Sequence, residues 1–128
     1  MTLPRHTTKS ATTFRAEQAD AFGNLSESHA MLAMSNAAFL CAGEYAQSDV
    51  IMAKADSLEF ARPLPVGDLV RIETQIVFQG WASMTVVVEM TSGSEETAGM
   101  SASASGRFMM VAVDKSRLPI HIPGSEVA

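Results

Sequence analysis

Between residues 69 and 78 apolar and polar side chains alternate, with Val70, Ile72, Ile76 and Phe78 on one side and Arg71, Glu73 and Gln75 on the other. A period of two is the mark of a strand with one face in a core. Residues 79–82, Gln-Gly-Trp-Ala, read as a hairpin loop, and a strand over 83–90 returns with Met84, Val86 and Val88 on one face. Residues 92–96 make a second loop. The last strand, 98–114, opens with small residues and closes with the apolar run 108–113. Upstream, residues 50–60 are strand-like and end in the turn cluster Arg-Pro-Leu-Pro-Val-Gly-Asp at 62–68. Long strands joined by hairpins imply an antiparallel sheet.

A different period governs residues 25–45, which predict one helix. Asn24 as N-cap and Glu27 three residues later have the spacing of a capping box. The middle, with Met31, Leu32, Met34, Phe39, Leu40 and Cys41 among alanines, is apolar nearly all round. Such helices are buried on most sides, and this one would be roughly 30 Å long. A short strand before the helix completes the order: strand, helix, four strands. Residues 1–12 and 119–128 are expected to be loose ends, the latter holding Pro119, Pro123 and Gly124. One helix leaves such a sheet with open edges. Pairing with further copies of the chain, as a dimer or on to a tetramer or hexamer, is the expected remedy.

The chain has 128 residues, enough for a single domain spanning 1–128. With 47 % hydrophobic and 18 % charged residues it can build a core, but no stretch has the continuous apolar length of a membrane span. The net charge of −5 and the scattered basic residues argue against nucleic acid. One cysteine, Cys41, and three distant histidines, His6, His29 and His121, give no metal-ligand spacing and no internal disulfide. The polar first ten residues lack a secretory pattern, so a cytoplasmic location is expected.

The block at 60–70, Phe-Ala-Arg-Pro-Leu-Pro-Val-Gly-Asp-Leu-Val, resembles the "F-x-R-P-x-x-V-G-D-x-V" segment of acyl-CoA hydrolases of the hot-dog superfamily. Gly80-Trp81-Ala82-Ser83-Met84 follows, then a valine-rich strand with Glu89. The ending at 108–114 with Pro119 and Pro123 is similar to that family's close. The resemblance implies an α+β hot-dog fold, an antiparallel sheet of about five strands wrapped around one long helix. It implies hydrolysis of acyl-CoA thioesters to free acid and CoA, in a homo-oligomer, with no cofactor because CoA belongs to the substrate. The family's active segment, "D-x-N-x-x-G-[ND]-x-x-G-G", lies in the loop leading into the helix. Here Asp20 stands at the usual Asn, Gly23 matches, and Asn24 fills the Asp/Asn position. Glu27-Ser28 replaces the glycine pair. Ser35 and Asn36 occupy the helix where many members keep an acid.

Thioester hydrolysis needs a carboxylate that activates water or attacks the carbonyl, and donors for the developing oxyanion. N–H groups at a helix N-terminus can supply the latter. Asp20 is the first candidate carboxylate, Asn24 the group orienting water or carbonyl, and Glu27 the second carboxylate. The same residues have a plainer explanation, Asn24 and Glu27 as caps and Asp20 as the start of a turn. By resemblance, substrate and CoA contacts fall to Gly23, Ser35, Asn36, Arg62, Gly80, Ser83 and Arg107. Two alternatives stay open: a hot-dog protein that binds an acyl thioester without hydrolysing it, and a hydratase or dehydratase of the same fold, with His29 a loose stand-in for its histidine.

Overall fold

A computed structural model describes residues 6–93 and 102–123. In chain order the elements are β1 (Thr7–Thr13), α1 (Glu27–Ala46), β2 (Asp49–Phe60), β3 (Leu69–Gln79), β4 (Ser83–Ser92) and β5 (Ala104–Val113). The strands form one sheet in the order β1-β3-β4-β5-β2, every neighbouring pair antiparallel. The helix packs across one face of it. This is the expected α+β hot-dog architecture.

The inner face follows from alternation. Val70, Ile72, Thr74 and Ile76 of β3 are buried, as are Met84, Val86, Val88 and Met90 of β4. Register stacks them: Ile72 opposes Met90, Ile76 opposes Val86, and Val86 in turn opposes Phe108 of β5. Against this face α1 lays Ala30, Met34, Ala38, Cys41, Ala42 and Ala46, all at most 1 % exposed. The alanines let the helix come close, and the adaptable thioethers of Met34, Met84, Met90 and Met110 fill the remaining space.

Four expectations need correction. Residues 7–13 are not loose: they form β1, with Thr7 opposite Gln75 and Thr13 opposite Leu69. The start of the C-terminal segment is also fastened. Ile120 N–H donates to Ala112 at 2.9 Å, Ile122 N–H to Trp81 at 2.9 Å, and the Ile122 side chain is fully buried. Residues 124–128 lie outside the described residues, as does the predicted strand start at 98–101. Phe78 does not share a face with Ile76. A bulge between them puts Phe78 opposite Thr85, and it is 57 % exposed. One inserted residue is enough to turn every later side chain to the other face. Finally, in one subunit α1 is covered on one side only. Met31, Leu32, Phe39 and Leu40 stand 43, 55, 38 and 69 % exposed on its outward face.

Candidate active site at the helix N-terminus

The loop leading into α1 is a tight turn built on Asp20. Its N–H donates to the Asn24 carbonyl at 2.7 Å. Its Oδ1 accepts the N–H groups of Phe22 at 2.8 Å and Asn24 at 3.0 Å. Gly23 completes the turn at φ 82°, a left-handed conformation that glycine adopts without a Cβ clash. The cluster at 62–68 then docks on this turn. Leu25 N–H reaches the Leu64 carbonyl at 2.7 Å, Val66 N–H reaches Gly23 at 3.2 Å, and Gly67 N–H reaches Phe14 at 3.0 Å. The two segments flanking the site, some forty residues apart in the chain, are thus joined by backbone bonds rather than by side chains alone.

Ser26, not Asn24, caps the helix. Its Oγ accepts the His29 N–H at 3.2 Å and lies 2.8 Å from His29 Nδ1. The capping box expected from Asn24 and Glu27 does not form, because the helix begins two residues later than that spacing assumed. Glu27 is instead the first helical residue, its negative charge at the positive end of the helix dipole. The N–H groups of Glu27 and Ser28 find no acceptor among the described residues, as the first donors of a helix commonly do not.

Between this helix start and the end of β2 lies a cavity of about 220 Å³. Asp20, Asn24, Glu27 and Arg62 supply its polar lining, while Leu25, Ala30, Phe60 and Leu64 supply apolar walls. All three candidate catalytic residues therefore meet at one opening, with Gly23 in the turn that shapes it. The carboxylates and the helix N–H groups without an acceptor among the described residues are parts that acyl transfer to water can use, as base or nucleophile and as oxyanion donors.

The other candidates sit elsewhere in the subunit. Ser35 donates its hydroxyl back to the Leu32 carbonyl at 3.0 Å, and Asn36 is exposed beside it, both beyond the cavity on α1. Gly80 and Ser83 lie in the β3–β4 hairpin, where Gly80 N–H bonds to the Ser83 carbonyl at 2.8 Å. That hairpin adjoins the C-terminal end of α1, where the Tyr45 hydroxyl meets Gln79. It is a helix length, roughly 30 Å, from Asp20. Arg107 is exposed and lines a separate hollow with Lys54 and Asp56, away from the Asp20 cavity. Ser26, Ala30 and Phe60 escaped the sequence reading. Ser26 could have been found as a serine three residues before His29 at a helix start, a favoured cap position. Phe60 opens the family block at 60–70 without being singled out as a site residue, and Ala30 carried no such signal.

Among the described residues no group of three or more His, Cys, Asp or Glu converges as a metal site would. No helix of the described residues is long and apolar enough to cross a membrane.

Fold and site together define a hot-dog domain with a polar cavity at the N-terminus of its helix. The thioesterase superfamily model matches residues 22–99, and the chain belongs to that family. The match begins two residues after Asp20. An uncharacterized acyl-CoA thioester hydrolase of Zymomonas mobilis is 32 % identical over 90 residues, which is 70 % of this chain. The chain spans 60 % of that relative's length. Among solved structures, a hexameric thioesterase from Yersinia pestis is 25 % identical, with a TM-score of 0.80 over 90 % of this chain and 94 % of its own. An acyl-CoA hydrolase from Staphylococcus aureus, solved with butyryl coenzyme A and coenzyme A, superposes with a TM-score of 0.82. It covers 92 % of this chain and 72 % of its own, and at 22 % identity it speaks to the fold alone.

Proposed function

We propose that this protein hydrolyses acyl-CoA thioesters, with Asp20 as base or nucleophile and the Glu27 and Ser28 N–H groups as oxyanion donors. The observation that carries the reading is the convergence of Asp20, Asn24, Glu27 and Arg62 on one cavity at the start of α1. In this reading the thioester carbonyl points its oxygen at the helix N-terminus, where the dipole favours the charge that develops on attack. Asn24 orients the water or the carbonyl, and Arg62 at the rim faces the phosphates of CoA. Gly80, Ser83 and Arg107, distant within one subunit, contribute only if a second copy brings them near. Such an assembly is part of the reading, as is a cytoplasmic location with no cofactor beyond the substrate's own CoA. Assay of free thiol released from a panel of acyl-CoAs tests it. Turnover abolished by Asp20→Asn supports the assignment, and no turnover of any acyl-CoA overturns it.

A second reading, binding of an acyl thioester without hydrolysis, draws on the two N–H bonds that Asp20 Oδ1 already accepts. A carboxylate oxygen that already holds two backbone N–H groups is committed to the turn. Stabilisation by acyl-CoA without thiol release would decide for it.

A further inference from the structure

We infer that Ser57, Leu58 and Gly106 are positioning residues for the cavity at the start of α1: the bulge they form turns Phe60, and not Glu59, into its wall. The inference rests on the acyl-CoA reading and deepens it. None of the three lines the cavity, so their effect on it runs through the end of β2.

The bulge is visible in the register. Asp56 opposes Arg107 and Glu59 opposes Ser105, so Ser57 and Leu58 together face the single residue Gly106. Residues directly opposite one another in an antiparallel pair point to the same face of the sheet. On β5 the alternate residues Ala104, Phe108, Met110 and Ala112 are buried, and Ala55 of β2 stands opposite Phe108. Counting by twos from Ala55 would turn Ser57 and Glu59 to the inner face and Phe60 to the outer one. The extra residue reverses this. Phe60 opposes the buried Ala104 and joins the cavity wall, while Glu59 opposes Ser105 and is exposed. Without the bulge a carboxylate would turn inward beside the cavity.

Two features hold the bulge in place. Ser57 sits at φ 54°, in the left-handed region that a residue with a Cβ enters only at a cost. Gly106 leaves room for its partner: a Cβ there would lie 2.7 Å from Leu58 Cδ2 and 3.0 Å from the Phe108 ring. The Leu58 side chain thus fills the space that glycine leaves, and it packs on the core. Past the bulge the chain is fastened again. The N–H groups of Ala61 and Arg62 donate to the carbonyl of the buried Ser103 at 2.8 and 3.1 Å. Residues 60–62, all in the cavity wall, are therefore held between the bulge and that carbonyl.

Steady-state kinetics with butyryl-CoA test the inference on the full chain. Ser57→Gly keeps the left-handed conformation available and should leave kcat and KM at their wild-type values. Ser57→Val, which disfavours that conformation, and Gly106→Ala should each raise KM by about fivefold or more with kcat within about twofold, as when binding and not chemistry is disturbed. Adding Leu58→Ala to Gly106→Ala removes the nearer contact and should bring KM below that of Gly106→Ala alone. Leu58→Ala by itself, at a half-buried position, should raise KM in smaller measure, and it decides if the other variants do not fold. A role in folding alone would lower the melting temperature and leave the KM of the folded enzyme unchanged. Folded variants with wild-type KM therefore overturn the inference while leaving the acyl-CoA reading intact. If the wild type turns over no acyl-CoA, the hydrolytic reading fails separately, and a crystal structure of Ser57→Val decides. Phe60 turned out of the wall then upholds the inference, and an unchanged register beyond Asp56 overturns it.

Discussion

Asp20 and Asn24 hold each other twice: Asp20 N–H donates to the Asn24 carbonyl at 2.7 Å, and Asn24 N–H donates to Asp20 Oδ1 at 3.0 Å. The same carboxylate oxygen takes the Phe22 N–H at 2.8 Å, while Oδ2 makes no hydrogen bond within the described residues. One side chain thus has two jobs available to it, and they reside on different oxygens. Oδ1 fixes the turn from which α1 starts, and Oδ2 is the atom available to a ligand.

That division separates the roles by mutation. Asn at position 20 keeps an acceptor oxygen for both N–H groups but loses the base, so Asp20→Asn should lower kcat by at least about a hundredfold. Its unfolding free energy should stay within about 0.5 kcal/mol of wild type. Asp20→Ala removes the acceptor as well and should cost roughly 1–2 kcal/mol in urea titrations. An Asn variant with full activity would leave Asp20 a turn residue, and the binding reading would then gain.

The helix start gives a second contrast. Ser26 carries the cap, so Ser26→Ala should lose about 1 kcal/mol of stability, and Ser26→Asp should recover most of it because Asp caps as well. Glu27 has no capping partner and offers only a favourable charge near the dipole. Glu27→Gln should therefore cost at most about 0.5 kcal/mol and leave turnover near the wild-type rate. Loss of turnover in Glu27→Gln, with Asp20→Asn active, would exchange the two assignments.

How far these features were legible in the sequence varies with the physics behind each. The alternation in β3 and β4 fixed which residues face the core, because a period of two survives any local detail. It failed at Phe78, since a bulge adds a residue without leaving a turn signal. The helix was located by composition, but its start was misplaced. Asn24 and Glu27 had cap spacing, whereas the turn bonds of Asp20 hold Asn24 outside the helix. Asp20, Asn24 and Glu27 line one cavity, a nearness that their closeness in the chain makes legible. Ala30 and Phe60 were invisible as lining, for their meeting depends on how the 62–68 cluster docks, a long-range contact that no local pattern encodes.

Cys41 supplies a prediction about pH. Burial raises its thiol pKa above the ordinary 9.0, with the Thr74 hydrogen bond opposing and Glu44 adding to the rise. The folded state therefore keeps this proton at a pH where the unfolded chain releases it. Native protein then binds more protons than unfolded protein, so stability must fall as pH rises through 9.0 towards the folded value. Below that range the thiol is protonated in both states and contributes no slope. Chemical unfolding from pH 7 to 10 should show this decline, and Cys41→Ala should flatten it while costing stability through the lost side-chain volume. An unchanged slope in the variant would remove Cys41 as its source.

The outward face of α1 leads to the last prediction. Met31, Leu32, Phe39 and Leu40 leave a stripe of large apolar side chains in water, and fully burying each such side chain is worth about 1.5–3 kcal/mol. Beside the helix, β2 is an edge strand of twelve residues, with no strand of the described residues paired to its outer side. Open edges of that length are covered in most proteins, and a second copy could cover strand and stripe together. We therefore expect a homo-oligomer with a dimer as its smallest stable unit, measured by size exclusion with light scattering at micromolar concentration. Replacing Leu40, the most exposed of the four at 69 %, by glutamate puts a charge in the contact and should shift the population towards 13.6 kDa monomers. Leu118→Glu, at an exposed leucine in the turn after β5, is the control and should leave the assembly unchanged. A wild-type chain that stays folded and monomeric at 13.6 kDa would rule out this assembly and would strip Gly80, Ser83 and Arg107 of any part in the site.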